Sequence, residues 1–325
     1  VVNLTARLVE DGGRAASGPD FFRSPEFLGA EGVTHSLLIH EAGDETELIA
    51  SAPLLVREIP GTDRHDAISP YGYPGLAISD GPQLRIPFPL DPAGIDFSAT
   101  GLVTIFLRHV LGDVPPLASA TPRNVCLLSD PGLPRKSRAS DRQQIRKNLK
   151  AGFRVEITPG TETSPGQRRD FFAAYTETMV RTGAAERYFF SEEYFDRILS
   201  AEGTWLFICR EPGGAAAAAS IATLSDGLIH YYLSGTADAY LRGAPMKNLL
   251  EEMIGFAAER ELAVNFGGGI KPGDALEEFK RGFANREEQW YTSEIVCDPD
   301  ANRELTDRLA PDGDPSFFPA YRASL

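Results

Sequence analysis

The segment from Asn265 to Phe283, Asn-Phe-Gly-Gly-Gly-Ile-Lys-Pro-Gly-Asp-Ala-Leu-Glu-Glu-Phe-Lys-Arg-Gly-Phe, constrains this chain more than any other. A strand is expected to end in Gly267-Gly268-Gly269, a short loop to carry Lys271, and a helix to open near Asp274. Three consecutive glycines remove every Cβ, so another backbone or an extended ligand can come close to the main chain at that strand end. On the helix that follows, Leu276, Phe279, Lys280 and Phe283 fall at i, i+3, i+4 and i+7, which sets Lys280 on the apolar stripe. Two readings of that cation compete. Its stem lies along apolar surface with the ammonium in water and Glu277 as an ion-pair partner at i−3, or the charge serves a ligand beside the glycines. Asp274 with Glu277 three residues later reads as a capping box.

A chain of 325 residues suffices for one large or two ordinary domains, each with its own core. Its three cysteines, Cys126, Cys209 and Cys297, are few and widely spaced, so neither a disulfide framework nor a clustered metal site is indicated. No apolar run approaches the length of a membrane span, and the first residues lack the basic-then-apolar order of a signal peptide. A soluble, reducing, cytoplasmic setting and a monomer are the expectation. The net charge is −14, yet Arg135, Lys136, Arg138, Arg142, Arg146, Lys147, Lys150 and Arg154 crowd into twenty residues against Asp141 alone. An acidic body with one basic strip repels polyanions everywhere except at that strip, or else the strip is a solvated helix face.

The Pro/Gly-rich break Asp130-Pro131-Gly132-Leu133-Pro134 places a domain junction before the strip. The expected division is an N-terminal domain over 1–134, a basic linker helix over 135–152 and a C-terminal domain over 153–325. Ser140 with Gln143 gives the linker helix a capping-box start, Ile145 and Leu149 a thin apolar stripe, and Gly152 a stop. Beyond it the pattern reads strand (153–158), helix (168–182, with Phe172, Tyr175 and Met179 on one side and Gly183 after it), helix (capped by Ser191, carrying Tyr194, Phe195, Ile198 and Leu199, with Gly203 after it), and three strands in a meander (204–210, 215–224, 227–234). A helix opened by Pro245, a short strand at 263–266, the Lys280 helix and a last strand at 289–297 complete it. The alanine run 215–219 suits a strand packed closely against something. The N-terminal half shows strand-like runs at 35–40, 47–59, 102–111 and 124–128, separated by proline-rich stretches.

That order of elements resembles the GNAT acyltransferase fold. Asp66 to Gly75 (Asp-Ala-Ile-Ser-Pro-Tyr-Gly-Tyr-Pro-Gly), Gln144 to Leu149, Thr178 to Gly183, Tyr232 to Thr236 and the Gly267 to Phe283 run together resemble the Fem-type (FemX/FemAB-like) aminoacyltransferases of the GNAT superfamily. The resemblance implies an α+β chain of two GNAT-like domains, each a mixed, mostly antiparallel sheet flanked by helices. It implies transfer of an aminoacyl group from aminoacyl-tRNA to an amine of a cell-wall precursor or another small molecule, as in peptidoglycan or secondary-metabolite biosynthesis. By the same resemblance Phe279 and Lys280 receive the 3′ end of the donor, the lysine stabilising oxyanion character and the ring stacking on the terminal adenine. Arg142, Arg146 and Lys150 of the strip then suit the tRNA phosphates.

The acceptor amine must lose a proton, and Asp66 is the candidate base, against an ordinary turn aspartate. Tyr71, Tyr73, Arg181, Tyr188, Gly268, Gly269 and Lys271 are the candidate substrate contacts; Arg181 suits a last helical turn equally well. Coenzyme A is disfavoured, because Tyr240-Leu241-Arg242-Gly243-Ala244-Pro245 has one glycine where a pyrophosphate loop offers several backbone N–H groups, and its proline has none. No cofactor is expected. The five histidines show no metal spacing, and neither Ser69 nor Ser234 carries a nucleophile signature. Two rival readings are an acyl-CoA-dependent N-acyltransferase on the same fold and a non-catalytic binding protein built from it.

Overall fold

The structure is a computed structural model and describes residues 3–79, 88–312, 314 and 317–323. Its elements run β1 (Leu4–Glu10), α1 (Pro25–Ala30), β2 (His35–Glu41), β3 (Asp44–Glu58), β4 (His65–Ile68), β5 (Ala77–Ile78), β6 (Ile95–Asp96), β7 (Leu102–Arg108) and β8 (Thr121–Ser129). They continue with α2 (Ala139–Lys150), β9 (Arg154–Pro159), α3 (Pro165–Thr182), α4 (Glu192–Ser200), β10 (Thr204–Arg210), β11 (Ala216–Ser225) and β12 (Leu228–Thr236). Last come α5 (Met246–Ala258), β13 (Ala263–Asn265), α6 (Ala275–Arg281), β14 (Arg286–Val296) and α7 (Pro299–Leu309). The expected α+β class holds: mostly antiparallel sheet with helices packed on it.

The chain forms two compact units, Val1–Arg123 with Gln289–Leu325, and Asn124–Glu288. The junction expected at 134 therefore falls inside the second unit, and the last residues belong to the first. Pairing decides this: residues Thr292 to Val296 of β14 lie antiparallel to Arg108 to Thr104 of β7. Hydrogen-bond partners, which chain order does not reveal, set the boundary.

In the first unit the strand order is β6-β1-β2-β3-β4-β7-β14, with β6–β1 and β4–β7 parallel and the rest antiparallel. Leu37, Ile39, Leu54, Ile105 and Leu107 bury completely in its core. Strand β1 and helices α1 and α7 escaped the sequence reading. Ser24 caps α1 through the Phe27 N–H at 3.2 Å, and Asp298 caps α7 through the Ala301 N–H at 2.9 Å.

The second unit follows the expected order closely. Its strands run β8-β13-β12-β11-β10-β9, the β10–β12 meander antiparallel and β12–β13 parallel. Helix α3 starts at Pro165, three residues before the expected start, because Ser164 and Gln167 form a complete capping box. Its buried side is Phe171, Ala174 and Tyr175: of the expected stripe Tyr175 is buried as read, while Phe172 and Met179 lie at its margin. The buried alanines 217–219 and Gly235 explain how closely it lies. A Cβ on Gly235 would stand 2.2 Å from the Ala174 carbonyl oxygen. From α5, Leu249, Leu250 and Met253 fill a core with Phe207, Ile229, Val264 and Phe283.

Helix α2 is part of this unit and no linker. It buries Asp141, Ile145 and Asn148, while Leu149, expected on the stripe, is exposed. Asp141 pairs with Lys247 at 2.7 Å, and Asn148 donates to Asn248 Oδ1 at 2.7 Å. Arg138 occupies the N-cap without a side-chain capping bond, so Ser140 does not cap the helix; Gly152, at φ 98°, ends it as expected.

Candidate active site

Strands β12 and β13 pair over three positions only, Leu228–Ala263, Ile229–Val264 and His230–Asn265. Beyond them β12 stays on β11 to Thr236, while the chain after β13 continues along β8, with which β13 already pairs at Val264–Ser129 and Asn265–Leu128. There the Phe266 N–H donates to Leu127 O at 2.9 Å and the Leu127 N–H to Gly267 O at 3.1 Å. Two parallel strands that take different partners open a wedge between them. The β12 wall is bulged: Ile221 faces Leu233 and Ala222 faces Tyr231, leaving Tyr232 unmatched.

The glycine run lines the other wall. Gly267 sits at φ 72°, a Cβ on Gly268 would come within 2.9 Å of the Val125 carbonyl oxygen, and one on Gly269 within 2.6 Å of Asp274 Oδ1. The close approach read from the sequence is thus made by the chain itself, β8 on one side and the α6 cap on the other. Asp274 accepts from the N–H groups of Ile270, Lys271 and Glu277 at 2.7–2.9 Å, which draws its carboxyl below the usual range and folds the loop onto the helix start. Glu277 does not complete a capping box. Its carboxylate accepts from the Gly273 N–H at 2.8 Å and pairs with Arg281 at 2.6 Å.

Lys280 does not snorkel. It is 8% exposed, and its Nζ donates to the Gly268 carbonyl oxygen at 2.6 Å. Burial lowers its pKa from the ordinary 10.5 to about 8, with Cys126 and Asp274 acting the other way. Burial of Lys280 and Glu277 on α6 and exposure of Leu276 rotate the helix away from the stripe read in the sequence. Phe279 is half-buried, 5.7 Å edge-on from Phe283. Lys271 is exposed on the loop. The ammonium keeps two further N–H donors beyond the one on Gly268. A buried cation beside a wedge of backbone is suited to an oxygen that gains negative charge.

The other candidates separate. Arg181 donates to Thr236 O at 3.2 Å and Thr178 Oγ1 at 3.0 Å and pairs with Asp238, tying the end of α3 to the end of β12. Tyr188 gives its carbonyl to the Tyr175 hydroxyl at 2.8 Å and its ring to Arg187. Sequence reading did not single out the pair Tyr194 and Tyr232, whose hydroxyls meet at 2.7 Å, with Phe190 stacked on Tyr194 at 4.1 Å. No local signal could join residues 38 positions apart. Before α5, Gly243 O accepts from Asn148 Nδ2 at 2.8 Å, and the N–H groups of Lys247 and Asn248 turn back to Ala244 O and Pro245 O at 3.0 Å. Arg142, Arg146 and Lys150 are exposed, at helical spacing along α2.

In the first unit Asp66 does not suit the role of base. It lies on β4 and not in a turn, 0% exposed. Its carboxylate accepts from Arg57 at 2.9 Å, Arg322 at 2.5 Å and the Tyr321 hydroxyl at 3.1 Å. A carboxylate so enclosed holds a structure together. Tyr71 is half exposed, its N–H on Glu31 at 3.0 Å, and Tyr73 packs edge-on against Phe22 and Trp290.

With the wedge and its lysine described, likeness to known proteins can be stated. Residues 135–281 match the family of the acetyltransferase (GNAT) domain. The match begins with α2, in keeping with that helix belonging to the second unit. FemX is similar in fold, with a TM-score of 0.56, 13% identity and coverage of 82% of this chain and 89% of that one. So is the C-terminal domain of a putative lysylphosphatidylglycerol synthetase from Agrobacterium fabrum (TM-score 0.55, 14% identity, 90% and 91% coverage). A third is L-PGS from Bacillus licheniformis (TM-score 0.51, 12% identity, 80% and 86% coverage). No curated protein matches the chain in sequence. Fold and matched domain are those of a GNAT acyltransferase.

Proposed function

We propose that the protein transfers an aminoacyl group from aminoacyl-tRNA to an amine of a small-molecule or cell-wall precursor acceptor, forming an amide. The observation that carries this reading is Lys280, buried on α6 with its ammonium on the Gly268 carbonyl where β12 and β13 part. In the reaction the acceptor nitrogen attacks the ester carbonyl of the donor. As the tetrahedral intermediate forms, a remaining Lys280 N–H bonds the carbonyl oxygen, and the low-dielectric surroundings strengthen that bond as charge develops. Collapse expels the ribose oxygen, which takes up the proton that the attacking nitrogen gives up, and leaves the amide and the free hydroxyl of the tRNA. Half-buried Phe279 offers a stacking face for the terminal adenine. The exposed face of Arg142, Arg146 and Lys150 supports a polyanionic donor on an otherwise acidic protein. The fold likeness to FemX and to a putative lysylphosphatidylglycerol synthetase is compatible with an aminoacyl donor.

A second reading, acyl-CoA as donor, is favoured by the matched acetyltransferase domain. The loop before α5 weighs against it, because Pro245 has no N–H and those of Ala244, Lys247 and Asn248 already donate to the Leu241, Ala244 and Pro245 carbonyls. Incubation with a charged tRNA pool and, separately, with a panel of acyl-CoA thioesters decides the matter. Loss of the aminoacyl ester only when an amine acceptor is present supports the proposal; consumption of acyl-CoA alone replaces it with the second reading.

A further inference from the structure

We infer that His230 and Asn265 are positioning residues that hold the Gly268 carbonyl in place for Lys280, an inference that rests on the transfer role proposed for that lysine. They form the last pair of the short β12–β13 register, and both are buried to within 3%. Two polar side chains in a core cost stability unless every group is satisfied, and here the bonds run in one direction. Asn265 Oδ1 accepts from the Gly267 N–H at 2.8 Å, which fixes the amide and leaves Nδ2 to donate to His230 Nδ1 at 3.1 Å. With Nδ1 accepting, the ring proton is on Nε2, which faces the Ser225 carbonyl oxygen at 3.3 Å. Burial holds the His230 pKa down to about 4, so the ring stays neutral and Nδ1 stays an acceptor under physiological conditions.

The far end of this chain of bonds is the functional one. Gly267, at φ 72°, turns the backbone by a conformation that L side chains resist, and the next carbonyl, that of Gly268, receives Lys280 at 2.6 Å. Without the Asn265 bond the Gly267 peptide has no side-chain anchor, and a run of three glycines has many other conformations open to it. The β11–β12 turn at Ser225 is thereby tied to the lysine through His230 and Asn265, although neither of these touches it.

The test uses the full chain carrying Asn265→Ala, Asn265→Asp or His230→Leu. The first readout needs no substrate: the rate at which an amine-directed reagent modifies Lys280, read by peptide mass spectrometry. Releasing Gly268 should let the lysine reach solvent and raise that rate at least fivefold in Asn265→Ala and His230→Leu. Asn265→Asp, whose carboxylate still accepts from Gly267 and can pair with a protonated His230, should stay within twofold of wild type. In transfer assays the first two should lose at least tenfold in kcat with donor KM within twofold, and Asn265→Asp should recover most of it. A Lys280 modification rate within twofold of wild type in a folded Asn265→Ala overturns the inference; if that variant does not fold, the same result in His230→Leu does. A wild-type protein that transfers nothing refutes the function proposed for Lys280, and the modification rates still decide the positioning.

Discussion

Replacing Lys280 by methionine separates what the charge costs the fold from what it does for the reaction. Between its ordinary pKa of 10.5 and about 8 lie some 2.5 pKa units, so at neutral pH the buried ammonium costs roughly 3 kcal/mol relative to the unfolded chain. Methionine has a similar length and no charge to desolvate, but gives up the bond to Gly268, a charge-assisted contact worth about 1.5–3 kcal/mol. The two terms nearly cancel, and the thermal midpoint should move by only a few degrees. Activity should not survive: loss of an oxyanion donor costs about 100- to 1,000-fold in kcat. The unfolded chain keeps the lysine proton up to about 10.5 and the folded chain only to about 8. Between those pH values the unfolded state binds more protons, so wild type should gain stability on methionine as pH rises through that window. Wild-type turnover should decline as pH rises through about 8, where the ammonium is lost, and the variant's residual rate should lack that limb. Circular-dichroism melts at pH 7 and 10, with donor-consumption kinetics from pH 6 to 9.5, measure all of this. A folded Lys280→Met within tenfold of wild-type kcat refutes the role given to the charge.

Three further outcomes are expected. Reversing Arg142, Arg146 and Lys150 to glutamate should lower the slope of log donor affinity against log salt by about two to three, at about 0.7–0.9 per phosphate, and leave a minimal aminoacyl donor almost unaffected; an unchanged slope places the tRNA elsewhere. Acetyl-CoA should show no micromolar binding by calorimetry, and Arg242→Ala should not change the result, because Pro245 has no N–H and those of Ala244, Lys247 and Asn248 are engaged by carbonyls of the same turn. Asp66→Ala should destabilise the protein by about 3 kcal/mol in denaturant titrations, since it strands Arg57 and Arg322, while kcat per folded molecule stays near wild type. A kcat loss without a stability loss would return Asp66 to the list of bases.

Much of the second unit was legible in the sequence because its signals are local. Gly183 and Gly203 close helices or turns where they stand, Ser191 caps α4, and the spacing of Tyr194, Phe195, Ile198 and Leu199 gave the buried face of that helix correctly. The three glycines and the out-of-place lysine were visible for the same reason: both are anomalies within one element. Where a reading rested on a thin pattern it slipped. Leu149 and Leu276 completed apolar stripes on paper and face water in the structure, because neighbouring polar groups, Asn148 on Asn248 and Lys280 on Gly268, found buried partners that hydropathy does not score.

The sequence by itself determined the order of elements, the glycine-rich strand end and the lysine beside it, since these depend on residues within a few positions of each other. Tertiary structure alone decided where that lysine points, which strands bound each unit, and that Asp66 belongs to an ion-pair node with Arg57 and Arg322. It also decided that His230, 35 residues before Asn265, ends the parallel pair with it and so stands behind the wedge beside Lys280. Such contacts bring together distant stretches of chain, and their energy comes from burial and from bonds closed across that separation, quantities no local pattern of residues encodes.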